Sequence, residues 1–498
     1  MELEEKVIQS NKEFWGKENV SDANCGMLVY ENFYDTPQLC YGISKVALCL
    51  AKSLGLRPAV ILSWHENEIS KSMCETQFQM KNELTSIIIR YFLFLIRCFF
   101  INRTALLKLR DGEAEIGTFI YDSILIKYKK KTISTLSLKE RLFVILQLCY
   151  YLYFKRIITK NKVEAVVLGD CVYRYGLMFE LCRLNNIKCF TPVNLNSLFI
   201  RCFKTENDYH TSYLNNQLVE ELCKGMDYDN TIDDYYSKRY QGKIEQHDVL
   251  TAYGNKQVTD LNKFEKKYNL MKGKKTVVIM CHVFADAPHV YLDTLYDDYW
   301  EWFVGTLQNL KKNPHINILV KEHPSSHLYG QKGIVKEYLR SMDLDNLLVK
   351  DDESTVSILK NADVVVTCGG TIGMEFSYRG KNVVLASYPP FGRLGFTTEF
   401  NSREEYEKFL RERIQYIQPL NSEQLEMARK VSYITFCLQD NSSKDLELGG
   451  DVILMGKEYD NTILYNNIME YNKKSLDSQN IYKLLDSFAK SDKVALFK

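Results

Sequence analysis

The chain has 498 residues, 46% of them hydrophobic and 26% charged, an ordinary balance for a globular protein but more length than one core usually organises. Its 64 Lys and Arg against 63 Asp and Glu leave a formal charge of +1, so there is no global field for gripping nucleic acid. Fourteen cysteines run from Cys25 to Cys437 without a C-x-x-C pair, which reads as small buried side chains in a reducing compartment. The acidic opening Met-Glu-Leu-Glu-Glu has no apolar run of the secretory kind, so a cytoplasmic protein is expected.

Along the chain, Gly26–Tyr30 (GMLVY) predicts a strand, Gln38–Ser53 a helix and Pro58–Ser63 (PAVILS) a second strand. Ile87–Ile101 (IIIRYFLFLIRCFFI) is apolar except for Arg90 and Arg97, which share one helical face. It is shorter than the roughly 20 residues a spanning helix needs. Three readings stand: a buried helix, a peripheral contact with an anionic inner leaflet, helped by Lys129, Lys130 and Lys131, or, last, a true span. Leu138–Ile158 follows as a helix, Ala165–Leu168 (AVVL) as a strand ending in Gly169-Asp170, Tyr175–Asn185 as a helix, and Cys189-Phe190 as the start of a further strand. This alternation predicts a parallel α/β sheet.

Residues 225–274 are rich in Tyr, Asp, Lys and Gln and poor in apolar runs, so they are expected to be polar helices and linker. The alternation then resumes: strands at Thr276–Cys281, Ile316–Val320, Leu347–Val349, Asp363–Thr367 and Val383–Ala386, with helices at Tyr299–Lys311, Val335–Ser341, Thr355–Asn361 and Gly373–Arg379. Helices dominate after Phe400. The expected organisation is residues 1–224 as an N-terminal Rossmann-like domain on the acceptor side, 225–274 as linker and polar helices, 275–439 as a second, nucleotide-sugar-binding Rossmann-like domain, and 440–498 as a helical extension.

Ligands of an open parallel sheet sit beyond the C-terminal ends of its strands. Three unusual loops fall there. The first, His282-Val283-Phe284-Ala285-Asp286-Ala287-Pro288-His289, gathers two imidazoles and a carboxylate, with no third ligand at zinc spacing. The second is Lys321-Glu322-His323-Pro324-Ser325-Ser326. Proline restricts His323 to extended geometry, so its ring is held in a fixed direction where it can donate to a phosphate oxygen, and Lys321 adds charge.

The third loop, Cys368-Gly369-Gly370-Thr371-Ile372-Gly373-Met374-Glu375, permits close backbone approach and directs the N–H groups of a helix start at an anion. Glu375 lies one turn beyond Thr371, on the same helical face, and suits ribose hydroxyls. Neither a G-x-G-x-x-G fingerprint nor a Walker A sequence is present, which disfavours dehydrogenases and P-loop enzymes. Asp227-Tyr228-Asp229 and Asp343-Leu344-Asp345 match a D-x-D metal motif in letters, but both sit in polar connections and read as turns.

A His-Pro loop followed by a Gly-Thr turn and a Glu four residues later resembles the C-terminal domain of GT-B glycosyltransferases. The likeness is to the bacterial capsule and lipopolysaccharide polysaccharide-biosynthesis group that includes Kdo transferases, and it covers His282–Ala386 best. It is weaker over Glu115–Asp122 (EIGTFIYD) and Gly169-Asp170. The resemblance implies an α/β chain of two Rossmann-like domains facing a cleft, with His282, His289, Lys321, His323, Pro324, Ser325, Gly369, Gly370, Thr371 and Glu375 on the donor side. It further implies no obligatory metal and no cofactor, since protein donors and helix dipoles stabilise the leaving phosphate. The partners implied are a nucleotide sugar and a glycan or lipid-linked glycan acceptor. Gly370 stands where many relatives carry Ser.

Asp170, just past AVVL, and Asp286 are the candidate catalytic carboxylates, with Asp122, Glu206, Asp208 and His210 as lesser options. The expected activity is transfer of a sugar to a growing surface polysaccharide. A sugar-nucleotide 2-epimerase or a CDP-polyol phosphotransferase would use the same architecture, and a non-enzymatic nucleotide-binding protein is the outside alternative.

Overall fold

The computed structural model describes residues 3–498 apart from positions 21, 23–24, 35, 63–66, 195–197, 206–207, 209–212, 245–246, 255, 292, 440, 442–445 and 450–460. Two compact units result: residues 1–120, 135–208 and 439–498 form one, and residues 121–134 and 209–438 the other. Glu206 and His210 lie outside the described residues.

In the first unit, strands β1 (Met27–Asn32), β2 (Arg57–Leu62) and β3 (Gln77–Gln79) come first, and β4 (Arg110–Asp111) and β5 (Ala114–Glu115) make a small antiparallel hairpin. Strands β6 (Val163–Val167), β7 (Lys188–Asn194) and β8 (Phe199–Phe203) complete a six-stranded sheet in the order β3-β2-β1-β6-β7-β8. All its pairings are parallel except β7 with β8. β1 is buried along its whole length and β2 beyond Arg57, which is why both read as continuous apolar runs.

The helix Pro37–Leu54 starts on a proline at its first turn and stops at Gly55, whose φ of 65° only glycine adopts without strain. A capping box between Ser137 and Glu140 starts the helix Leu138–Lys160. Among the described residues this is the one helix long and apolar enough to cross a membrane, and more than half of its apolar stretch is buried in the protein.

Two expectations for this unit change. Ile87–Ile101 is not one helix: Leu84–Arg90 and Phe92–Phe99 are separate short helices broken at Tyr91. Residues 440–498 are not a separate extension either. The helices Asn461–Tyr471 and Asn480–Ala489 pack on Leu3–Glu18 and Pro37–Leu54, and Leu464, Ile468, Ile481, Leu485 and Phe488 enter the same core as Trp15, Tyr41 and Leu50. Their apolar faces are the surface the first helices need to bury.

The second unit holds β9 (Lys275–Met280), β10 (Ile316–Lys321), β11 (Val364–Thr367) and β12 (Asn382–Leu385) in the order β10-β9-β11-β12, all parallel. Val277, Ile279, Val364 and Val366 pack with Trp302, Phe303 and Leu307 of the helix Tyr299–Leu310. Leu347–Val349 is not a strand: the segment is a 3-10 turn, Asp345–Leu347, followed by a single bridge from Leu348 to Val320. The three residues are too few to extend the ladder. The polar helices expected in residues 225–274 form as Tyr228–Tyr240, His247–Tyr253 and Leu261–Lys267 and belong to this unit.

The order of the second sheet reverses between β9 and β11. That point leaves a crevice at the strand ends, because the connections leave in opposite directions. The loops after β9 and β11 are the His282 and Gly369 loops, and the His323 loop follows the neighbouring β10.

Candidate active site

The three loops converge on one cavity in the second unit, with room of about 100 Å³ inside it, lined by His282, Lys321, His323, Pro324, Gly370, Thr371 and Glu375, together with Arg239, Tyr253, Thr355 and Thr367. It is concave, part apolar and holds a few convergent polar groups, the usual form of a small-molecule site.

His323 is extended (φ −64°, ψ 131°), as its following proline requires, and caps the 3-10 turn Pro324–Tyr329. Its Nδ1 accepts from the Ser325 N–H at 3.2 Å, which leaves Nε2 to carry the ring proton. Ser325 is buried as that donor and does not line the cavity. Lys321 is buried and donates to the Glu353 carbonyl at 3.0 Å. Burial first, then Lys256, pushes its ammonium down to about 8, against the attraction of Asp351, Glu353 and Asp352.

The glycine turn is held from below. His282 Nε2 accepts from the Gly369 N–H at 3.2 Å and lies 3.2 Å from the Thr367 hydroxyl, while its ring stacks on Tyr299 with centroids 4.2 Å apart. Burial, then electrostatic coupling to His323, pushes His282 down to about 3, so it is a neutral acceptor at physiological pH. The structure thus gives His282 the work of orienting the Gly369 turn, with its Nε2 engaged there. A Cβ on Gly369 would sit 2.6 Å from the Tyr291 ring, whereas one on Gly370 would meet nothing closer than the Thr367 hydroxyl at 3.3 Å. Thr371 begins the helix Ile372–Tyr378.

Glu375 is buried, and both of its oxygens are engaged. Arg239 reaches Oε1 from Nε at 3.2 Å and Nη2 at 3.0 Å, and the Tyr253 hydroxyl donates to Oε2. Burial opposes the Arg239 charge, but Glu375 outweighs it and holds the guanidinium above its ordinary range. The carboxylate read from sequence as a ribose contact is therefore one half of a buried ion pair in the cavity wall. Arg239 and Tyr253 were not read as site residues. The one sequence signal for Arg239 is that Ile232, Tyr236 and Arg239 fall on a single stripe of Tyr228–Tyr240, and all three are buried.

The remaining candidates lie elsewhere. His289 is not among the cavity's lining residues: its Nδ1 is 2.6 Å from Asp122 Oδ1, and its N–H donates to Asp122 Oδ2. Burial disfavours its charged form, but Asp122 overrides this and leaves the imidazole raised above its usual value. Asp286 is exposed outside the cavity. Asp170 belongs to the first unit, where its Oδ1 accepts from the Cys171 N–H at 2.6 Å, and Asp208 caps the N–H groups of Lys204 and Thr205. Asp227 and Asp229 open a helix, where Asp229 pairs with Arg429, and Asp343 sits in a left-handed turn (φ 54°).

A family profile described as capsule polysaccharide biosynthesis protein matches residues 192–449, just over half of the chain. The chain belongs to this family. The matched span of this capsule polysaccharide biosynthesis protein contains every residue that lines the cavity. No curated protein sequence matches it.

Solved structures are distant likenesses. KpsC beta Kdo 2,4 transferase from Thermosulfurimonas dismutans is 16% identical, with 54% of this chain and 79% of that chain covered and a TM-score of 0.32. The beta Kdo 2,7 transferase of KpsC from the same organism is 14% identical, with 62% and 85% covered and a TM-score of 0.29. UDP-GlcNAc 2-epimerase from Neisseria meningitidis is 11% identical, with 81% and 93% covered and a TM-score of 0.21.

Proposed function

We propose that this capsule polysaccharide biosynthesis protein is a cytoplasmic, metal-independent glycosyltransferase of the GT-B type, moving a sugar from a nucleotide donor to a growing surface polysaccharide. The observation that carries the reading is the convergence of three strand-end loops on one cavity at the switch point of a parallel sheet. The acceptor is a glycan or a lipid-linked glycan.

The chemistry asked of the site is stabilisation of a departing nucleotide phosphate. His323 Nε2–H and the Lys321 ammonium supply charge and a donor, and the Gly370-Thr371 turn lets backbone approach the anion. As the acceptor hydroxyl attacks the anomeric carbon, the bond to the phosphate oxygen breaks and the charge on that oxygen is met by these groups. The acceptor proton passes to a base, for which Asp170 and Asp286, neither among the cavity's lining residues, are the candidates to test by substitution.

Isothermal titration of the full chain with CMP-, UDP-, GDP- and dTDP-sugars tests this directly. One nucleotide class should bind, and His323→Ala should weaken it. Absence of binding to all four would sink the reading. Acceptor-free turnover of UDP-GlcNAc would replace it with a 2-epimerase, and consumption of CDP-glycerol with a polyol phosphotransferase.

A further inference from the structure

The described residues expose eighteen large apolar side chains, and eight of them fall in two short stretches of the first unit. Ile88, Ile89, Phe92, Leu93, Ile96 and Phe100 come from the helices Leu84–Arg90 and Phe92–Phe99 and the residue that ends the second. Ile89, Leu93 and Phe100 are 73%, 72% and 73% exposed, values that a core or partly covered position would not give. The other two, Leu138 and Leu142, lie one turn apart at the start of the helix Leu138–Lys160.

These stretches are neighbours. Both short helices pack on Leu138–Lys160, burying Ile87, Leu95 and Cys98. Arg141 donates to the carbonyls of Phe99 and Ile101 at 2.6 and 3.0 Å, which ties the end of the second helix to the first turns of the long one. The buried side of each short helix is thus satisfied, and the exposed apolar side is surplus to the fold. Contiguous exposure of this kind marks a surface that is covered in use.

The charges select what covers it. From Leu84 to Arg110 the sequence holds Arg90, Arg97, Arg103, Lys108 and Arg110 and not one Asp or Glu. Arg90 and Arg97 are exposed among the apolar side chains. A second copy meeting this face about a two-fold axis would bring like charges together. An anionic bilayer accepts both features at once, apolar side chains at the acyl boundary and arginines at the headgroups.

We propose that the Leu84–Phe100 helix pair, with Leu138 and Leu142, is a monotopic docking surface for a bilayer bearing anionic headgroups. It lies in the interface and does not span it, since each short helix is far below spanning length and Leu138–Lys160 is largely packed in the unit.

The test is flotation of the full chain with vesicles of phosphatidylglycerol or of phosphatidylcholine alone. The chain should float with the first at low salt and not with the second. Leu93→Ser with Phe100→Ser, and separately Arg90→Glu with Arg97→Glu, should each cut the bound fraction by at least about tenfold, with thermal midpoints unchanged because the side chains are exposed. Failure to float, or flotation unaffected by both double variants, overturns the proposal. So does a dimer seen by light scattering without vesicles and abolished by the serine variant, which assigns the face to a second copy. Nucleotide titration plays no part in these readouts, so their outcome is separate from that of the donor-binding test.

Discussion

Arg239 and Glu375 meet inside the second unit with Nη2 3.0 Å from Oε1, both side chains almost wholly withdrawn from solvent. Such a pair contributes little net stability when complete, because desolvation of the two charges offsets their attraction. Its rupture is costly, because the surviving charge has no water. Arg239→Met should therefore destabilise the chain by about 3–5 kcal/mol, read as a lowered denaturation midpoint. Arg239→Met combined with Glu375→Leu should recover much of that loss. Equal midpoints for the single variant and wild type would show that the pair is not formed in solution.

His323 has two separable roles, one for each ring nitrogen. His323→Asn keeps a side chain that caps the turn well, whereas His323→Ala loses the cap at a cost of about 1 kcal/mol. Both variants lack the imidazole proposed to meet the donor phosphate. The expected result is that Asn preserves the thermal midpoint while Ala lowers it, and that both lose donor affinity alike in titration calorimetry.

Lys321 sets a pH window for that affinity. Burial holds its ammonium near 8, so it is charged at pH 7 and mostly neutral at pH 9. Anion affinity should fall across that interval, and Lys321→Met should flatten the profile. The stability effect has the opposite sign: the unfolded lysine holds its proton up to its ordinary range, so the folded state gains relative stability as pH rises from about 8 towards 10.4.

The two glycines of the third loop should differ. Gly369→Ala drives a methyl into the Tyr291 ring at 2.6 Å and should destabilise by roughly 1–3 kcal/mol, while Gly370→Ala, with its nearest neighbour at 3.3 Å, should cost under about 1 kcal/mol. Denaturation of the pair of variants in parallel checks the contrast.

Much of the fold was legible from period and punctuation. The strand runs TVVIMC, INILV and DVVVT each became a strand within a residue or two of their predicted ends, because each is buried on both faces and contains little else. Leu347–Val349 failed for the same reason read in reverse: three apolar residues do not say whether a ladder will accept them. The cavity's loops were readable because strand ends are where a parallel sheet leaves backbone unpaired. Arg239 and Tyr253 were not, since they arrive from helices more than a hundred residues before their partner Glu375 and polar composition concealed their burial. His282 and His289 looked alike in sequence. Only their partners, the Gly369 N–H for one and Asp122 for the other, separate an orienting acceptor from an imidazole bonded to a carboxylate.

The return of residues 461–489 to the first unit has a consequence for synthesis. Lys45, fully buried in the helix Pro37–Leu54, donates to Gln479 Oε1 at 2.5 Å and to the Tyr41 hydroxyl at 3.1 Å. A ribosome has therefore made more than four hundred further residues before that ammonium finds its acceptor. The second unit, drawn mostly from 209–438, is free to collapse during translation, whereas the first keeps the apolar side of its opening helices uncovered until the last helices emerge. The nascent chain thus spends most of its elongation with that surface open to chaperones and to aggregation.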